Sequence, residues 1–152
     1  MRIILSIYLL FFSMGSASSQ NPPPFEIERI ASFNSPWAMA FLPDGDILVT
    51  EKSGRLLMMN PKSGDMIEVQ GIPSVAYDGQ GGLGDVTLHP DYAENKMLYL
   101  SFAETDEDDK DKKGAAVIRA KLNIKNNSAE LTEIKYIWRQ VPMLLEVVNT
   151  VT

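Results

Sequence analysis

The 152-residue sequence has no cysteine and a single histidine, His89. The first absence excludes disulfides, so the fold must rest on an ordinary packed core; an oxidising compartment permits disulfides but does not require them. The second means that any histidine-based proton transfer would have to use His89. Positive charge is also short. Lys and Arg number 14 against 20 Asp and Glu, a net charge of −6, which argues against nucleic acid or an anionic membrane as partner. No serine–histidine–acid arrangement is present. After residue 19 no segment of useful length has the period of a helix, which leaves short strands as the building units.

The N-terminus has the layout of a secretory signal peptide. Met1 and Arg2 form a short positive start, Ile3 to Met14 is apolar except for Ser6 and Ser13, and Gly15-Ser16-Ala17-Ser18-Ser19 follows. Ala17 and Ser19 stand where the −3 and −1 residues of a cleavage site would be. The apolar run is shorter than the roughly 20 residues that a bilayer-crossing helix needs. Residues 1–19 are therefore expected to be removed, taking the net charge from −6 to −7. The expected product is exported, periplasmic or secreted, and soluble, with no cysteine to carry a lipid.

Residues 20–24 form a Pro-rich linker, with Pro22-Pro23-Pro24 too stiff to enter a helix or a sheet interior. Beyond it the pattern is all-β. Phe25-Glu26-Ile27-Glu28-Arg29-Ile30 opens in strict alternation and reads as a half-buried strand. Strands at Trp37 to Leu42, Ile47 to Thr50, Leu56 to Met59 and Met66 to Val69 then alternate with the turns Pro43-Asp44-Gly45-Asp46, Lys52-Ser53-Gly54 and Asn60 to Asp65. That is a four-stranded meander. The grammar repeats with Leu83 to Leu88, the turn His89-Pro90-Asp91, Met97 to Ala103, Ala115 to Leu122, and Leu131 to Trp138. The two Pro-Asp turns recur at the spacing of propeller blades. Strands apolar on both faces need a neighbour on each side, as blades of a β-propeller provide. A free-standing β-sandwich of about eight strands would also suit the length.

Three stretches are candidates for chemistry. His89 sits in Leu88-His89-Pro90-Asp91, which copies Leu42-Pro43-Asp44 of the first repeat, and so reads as a turn residue. Tyr77-Asp78-Gly79-Gln80-Gly81-Gly82-Leu83-Gly84-Asp85 has four glycines in six positions, which lets backbone approach a ligand or a neighbouring strand closely. A tight turn leading into a central strand would explain it. The Gln80 side chain can both donate and accept hydrogen bonds, which suits contact with a polar ligand. No Gly-Lys-Ser ending makes it a phosphate loop. Glu104 to Lys113 carries six acids and three lysines. As an EF-hand begun at Asp109 it would place Lys113 fifth and Ala120 twelfth, where oxygen ligands are needed, so it reads as a solvated hairpin loop.

Taken together, Ser35-Pro36-Trp37-Ala38-Met39-Ala40-Phe41-Leu42-Pro43-Asp44-Gly45, Leu48-Val49-Thr50-Glu51 with Gly54-Arg55-Leu56, and Asp78-Gly79-Gln80-Gly81-Gly82-Leu83 followed by Leu88-His89-Pro90-Asp91-Tyr92 resemble the soluble aldose sugar dehydrogenases, also called glucose/sorbosone dehydrogenases. The likeness runs over roughly residues 26–142. It implies a six-bladed β-propeller that uses pyrroloquinoline quinone (PQQ) and calcium to oxidise the anomeric carbon of aldose sugars. In that mechanism a histidine base takes the hydroxyl proton while hydride passes to the quinone. The family's substrate-side glutamine maps onto Gln80; no other catalytic residue maps here, and no calcium ligand does.

The sequence departs from the family after Trp138-Arg139-Gln140. There the family's base lies in a Gly-x-His-x-Gly-Gly-Arg-like motif, whereas here Val141-Pro142-Met143 leads into Leu144 to Thr152 without histidine or glycine. The expected organisation is two four-stranded blades over residues 25–142, an incomplete propeller, with a divergent tail over 143–152. Such a chain would be the N-terminal part of a dehydrogenase, cut short by a frameshift or premature stop. It would be inactive as it stands, would not bind PQQ and calcium by itself, and would tend to self-associate through unpaired blade faces. The alternative is a two-blade binding or assembly module without catalysis.

Overall fold

The first repeat forms an antiparallel meander of β1 (Pro36–Phe41), β2 (Ile47–Glu51), β3 (Arg55–Met59) and β4 (Met66–Gln70). The computed structural model describes residues 24–145; the signal-like segment, the linker up to Pro23 and residues 146–152 lie outside them. The Pro-Asp-Gly turn closes β1 onto β2 through Leu42 N to Asp46 O at 2.8 Å and Gly45 N to Leu42 O at 3.0 Å. Gly45 takes φ +95°, the left-handed backbone that glycine adopts without a steric penalty. Strand β1 is bulged between Pro36 and Ala38. The buried Thr50 hydroxyl serves that bulge, accepting the Ala38 amide at 3.0 Å and donating to the Ala38 carbonyl at 3.4 Å.

β2 is buried along its whole length because it has a cover on each face. Leu48, Leu56 and Met58 point into the main core. Ile47, Val49 and Met59 point the other way and are covered by Ala31 and Phe33. The cover is not the half-buried strand expected at Phe25 to Ile30. No strand forms there, and Ile27 is 77 % exposed. Alternation reports which side chains would share a face; a strand also needs a ladder partner, and none runs alongside residues 25–30. The segment packs further on, at residues 31–34.

The second repeat gives β5 (Leu83–Leu88), a single helical turn α1 (Tyr92–Asn95), β6 (Met97–Thr105), β7 (Lys112–Lys125) and β8 (Ser128–Arg139). The two-residue β9 (Leu144–Leu145) pairs with Lys112 and Lys113 at the start of β7. Strands β6 to β8 outrun their apolar centres because the β6–β7 ladder continues unbroken from Met97–Lys121 to Thr105–Lys113. The His89-Pro90-Asp91 turn continues into α1, whose Tyr92 is buried.

The two meanders share one sheet, ordered β1-β2-β3-β4-β8-β7-β6-β5. They join by a short parallel pairing of Val69 with Ala129 and Gln70 with Glu130, and β1 lies beside β5 at the other end. The nearly all-β sheet therefore almost closes on itself, barrel-like, around one core. Leu48 and Leu56 from the first meander meet Leu98, Leu100 and Ile118 from the second there. The glycine-rich stretch leads into β5, an end strand of this order rather than a central one. Among the described residues no helix is long and apolar enough to cross a membrane.

Candidate functional site

Residues 78–84 are pinned where the two meanders meet. Gly81 N donates to Asp78 O at 2.6 Å and closes a tight turn. On one side Leu83 N donates to Lys52 O at 3.0 Å; on the other Ala103 N donates to Gly82 O at 2.9 Å. Glycine is required by the closeness of this packing. A Cβ at Gly82, which has φ +135°, would lie 2.5 Å from Lys52 O, and one at Gly81 would lie 2.7 Å from Ala76 O. The glycines thus serve backbone against backbone, as a tight turn into a strand demands. Ser101 holds the start of β5, its hydroxyl accepting the Asp85 amide at 2.9 Å.

Gln80 is carried at the exposed apex of this turn. Its side chain makes no hydrogen bond among the described residues, and it lines a cleft of about 300 Å³ with Trp37, Lys52, Ser101, Phe102 and Ala115. The cleft is therefore mainly apolar, with an amide and an ammonium at its rim, the composition of a site for a small polar organic ligand. Lys52 donates to the Gly79 carbonyl at 3.3 Å and lies 5.6 Å from the centroid of the Trp37 ring. Asp78 on the far flank pairs with Lys113 at 3.1 Å. Nothing in the linear pattern marks Trp37 and Lys52 as partners of Gln80. Trp37 reads as a strand residue and Lys52 as a turn residue, and only the pairing of Pro36 with Glu51 carries them to one end of the sheet.

Gln140, just beyond β8, bonds to Ala115, one of the residues that line this cleft. Gln140 N donates to Ala115 O at 2.8 Å, and Gln140 Oε1 accepts the Ala115 amide at 3.2 Å. Nearby, Arg139 pairs with the buried Glu104 at 2.9 Å and lies 3.8 Å over the Tyr136 ring. A hydrogen bond with Tyr136 holds the Arg139 pKa above its ordinary value despite partial desolvation.

His89 lies in its turn, apart from the residues that line the Gln80 cleft. Its Nδ1 accepts the Asp91 amide at 3.0 Å, Asn95 Nδ2 is also 3.0 Å away, and the ring stacks on Tyr99. In the acidic loop the carboxylates fold the loop itself. Asp106 Oδ1 accepts the amides of Asp108 and Asp109 at 2.8 and 3.0 Å. A hydrogen bond from Lys112 holds the Asp109 carboxyl below the usual carboxylate range. Among the described residues no three His, Asp or Glu side chains are grouped to hold a metal ion.

Comparison with known proteins places this geometry. Residues 33–148 match the family model described as glucose/sorbosone dehydrogenase. The chain is 37 % identical over 133 residues to the aldose sugar dehydrogenase YliI of Escherichia coli K12, covering 86 % of this chain and 35 % of that protein. It superposes on a solved glucose dehydrogenase with a TM-score of 0.66 and 39 % identity, over 73 % of this chain and 34 % of the other. The PQQ-bound aldose sugar dehydrogenase of Streptomyces coelicolor superposes with a TM-score of 0.65 and 30 % identity, over 76 % and 34 %. The chain spans about a third or less of the length of the curated relatives it matches. A glycine-pinned loop carrying Gln80 into a cleft between two such meanders, with the family match running through both, leads to one conclusion: this chain belongs to the glucose/sorbosone dehydrogenase family.

Proposed function

We propose that this chain forms the substrate-side wall, centred on Gln80, of a PQQ-dependent dehydrogenase that oxidises the anomeric carbon of aldose sugars. Its two meanders are then two four-stranded blades of a six-bladed propeller. The observation that carries this reading is the Gln80 side chain, held at the apex of a pinned turn with its amide left to the cleft. An amide offers two N–H donors and a carbonyl acceptor, which matches the mixed donor and acceptor character of sugar hydroxyls. Family membership favours a dehydrogenase over a non-catalytic binding module.

The described residues fit one wall of a cofactor site and not a whole one. No group of three metal-ligating side chains is available to calcium among them, and the cleft offers an anionic quinone a single cation, Lys52, already engaged with Gly79 and Trp37. His89 is committed to its turn. We therefore assign this chain positioning and substrate contact, without turnover of its own. The signal-like N-terminus supports action outside the cytoplasm, and the exposed Trp37, Met39 and Phe41 of β1 support self-association.

The sequence has two tryptophans, so Trp138→Phe leaves Trp37 as the reporter of cleft occupancy. D-Glucose titrated against that variant should change its emission saturably, and adding Gln80→Ala should weaken the apparent affinity about tenfold, the scale of one lost hydrogen bond to a polar ligand. Equal affinity with and without Gln80 would remove the basis for the reading.

A further inference from the structure

We propose that Lys52 is a positioning residue for Gln80, which deepens the reading of Gln80 as the ligand-facing side chain. Lys52 grips the loop at two points that bracket Gln80. Its ammonium donates to the carbonyl of Gly79, the residue before Gln80, at 3.3 Å. Its backbone carbonyl accepts the amide of Leu83, three residues beyond, at 3.0 Å. Between these points Gly82 lies so close to the same carbonyl that any Cβ there would sit 2.5 Å from it.

The first contact is the one that orients Gln80. The Gly79 carbonyl and the Gln80 N–H belong to one rigid peptide plane. Holding the carbonyl therefore sets the direction of the backbone from which the Gln80 side chain springs. Gly79 itself has φ +49° and, lacking a Cβ, does little to restrict rotation of that plane. The ammonium supplies the restriction. A lysine would ordinarily sample many rotamers, but the Trp37 ring, 5.6 Å from Nζ, favours the one that reaches Gly79.

Lys52 also links the two meanders. It lies in the turn between β2 and β3 of the first, whereas the loop it holds leads into β5 of the second. The tie on the other flank, Asp78 with Lys113, stays within the second meander and its approach loop. Lys52 thus fixes Gln80 relative to the Trp37 wall across the join, and removing its donor should loosen the apex while leaving the core packed.

The test uses the full chain in the Trp138→Phe background, comparing Lys52→Met with Lys52→Arg. Hydrogen exchange of the Gly81 amide, which closes the turn onto Asp78, should quicken about tenfold in Lys52→Met, while the Ile118 amide stays protected and reports an intact core. The Gln80 side-chain amide resonance and the Trp37 emission should both shift, and D-glucose affinity should fall about tenfold. Lys52→Arg, which keeps a donor and a cation, should restore the parent exchange and resonance. Parent-like exchange of the Gly81 amide together with a parent-like Gln80 resonance in Lys52→Met would overturn the proposal. If the loop loosens but Gln80→Ala binds D-glucose as the parent does, the role of Lys52 stands and the ligand reading of Gln80 is what fails.

Discussion

The carboxylate of Glu51, buried at the end of β2, accepts the backbone amide of Asn34 at 2.6 Å. Its other oxygen takes Arg55 Nη1 at 3.0 Å, and Arg55 Nε reaches Glu68 at 2.8 Å. One side chain thus ties the irregular segment that covers Ile47, Val49 and Met59 to the sheet it covers. Glu51→Ala should cost about 2–3 kcal/mol, the scale of a hydrogen bond to a charged group plus an orphaned amide. Arg55 is half exposed and can turn to water, so the larger penalty of a stranded buried charge does not apply. Glu51→Gln keeps an acceptor for Asn34 and should cost about half as much. Urea unfolding of the three proteins checks this; equal midpoints for Ala and parent would show that the contact adds nothing.

Gly82 and Gly45 both have positive φ but differ in their surroundings. A Cβ at Gly45 would meet nothing within 4 Å, whereas one at Gly82 would lie 2.5 Å from Lys52 O. Gly45→Ala should therefore cost about 1 kcal/mol of backbone strain alone. Gly82→Ala should cost about 3 kcal/mol, because the loop must also move off Lys52. The comparison separates close approach from backbone freedom. Similar melting temperatures for the two variants would mean that the loop yields readily, and would weaken the account of Gln80 as a fixed group.

Both meanders could be read from the residues because Pro-Asp-Gly, Ser-Gly and Asn-Pro turns punctuate apolar runs, and each run found a ladder partner at the expected place. Phe25 to Ile30 shows the limit of that logic: its alternation is as regular as any strand's, yet strand formation depends on a neighbour that the local sequence cannot supply. Of the cleft, only the glycine-rich wall was marked in the sequence. Gln80 stood out by its glycines and by family likeness. Trp37 and Lys52 carried no local mark, because they meet Gln80 only through pairing of β1 with β2 and contact between meanders. The buried Glu51 was likewise hidden, since an acid followed by a turn ordinarily faces water.

Tyr92 gives the fold a sensitivity to alkali. Burial, assisted by the charge of Asp44, pushes the phenol up from 10.0 to about 12. Below pH 10 both folded and unfolded chains keep the proton, and the group adds no pH dependence. Between about pH 10 and 12 the unfolded chain loses the proton while the folded chain keeps it, so stability falls as pH rises, by on the order of 2 kcal/mol. Tyr92→Phe should remove that part of the slope. Unfolding free energies of parent and variant at pH 9, 10, 11 and 12 would show it as a difference that shrinks across the window. A constant difference would mean that Tyr92 titrates alike in both states.

The outer face of β1 carries Trp37, Met39 and Phe41, with Phe41 still 66 % exposed. Alternate residues of a strand lie about 7 Å apart, so Met39 and Phe41 form an apolar row at the end of the sheet order, with Trp37 before them at the bulge; β8 carries a second exposed pair, Ile137 and Trp138. Contiguous apolar surface of this kind drives association in water. The chain should therefore associate as its concentration rises, seen as a growing mean mass in sedimentation velocity. Met39→Glu with Phe41→Lys breaks the row, leaves Trp37 and the cleft intact, and sits opposite the core, since the inward neighbours Ala38 and Ala40 are unchanged. That double variant should stay monomeric over a roughly tenfold wider concentration range, the equivalent of about 1.4 kcal/mol. If it associates as strongly as the parent, the contact lies elsewhere, and the exposed residues of β8 become the surface to change next.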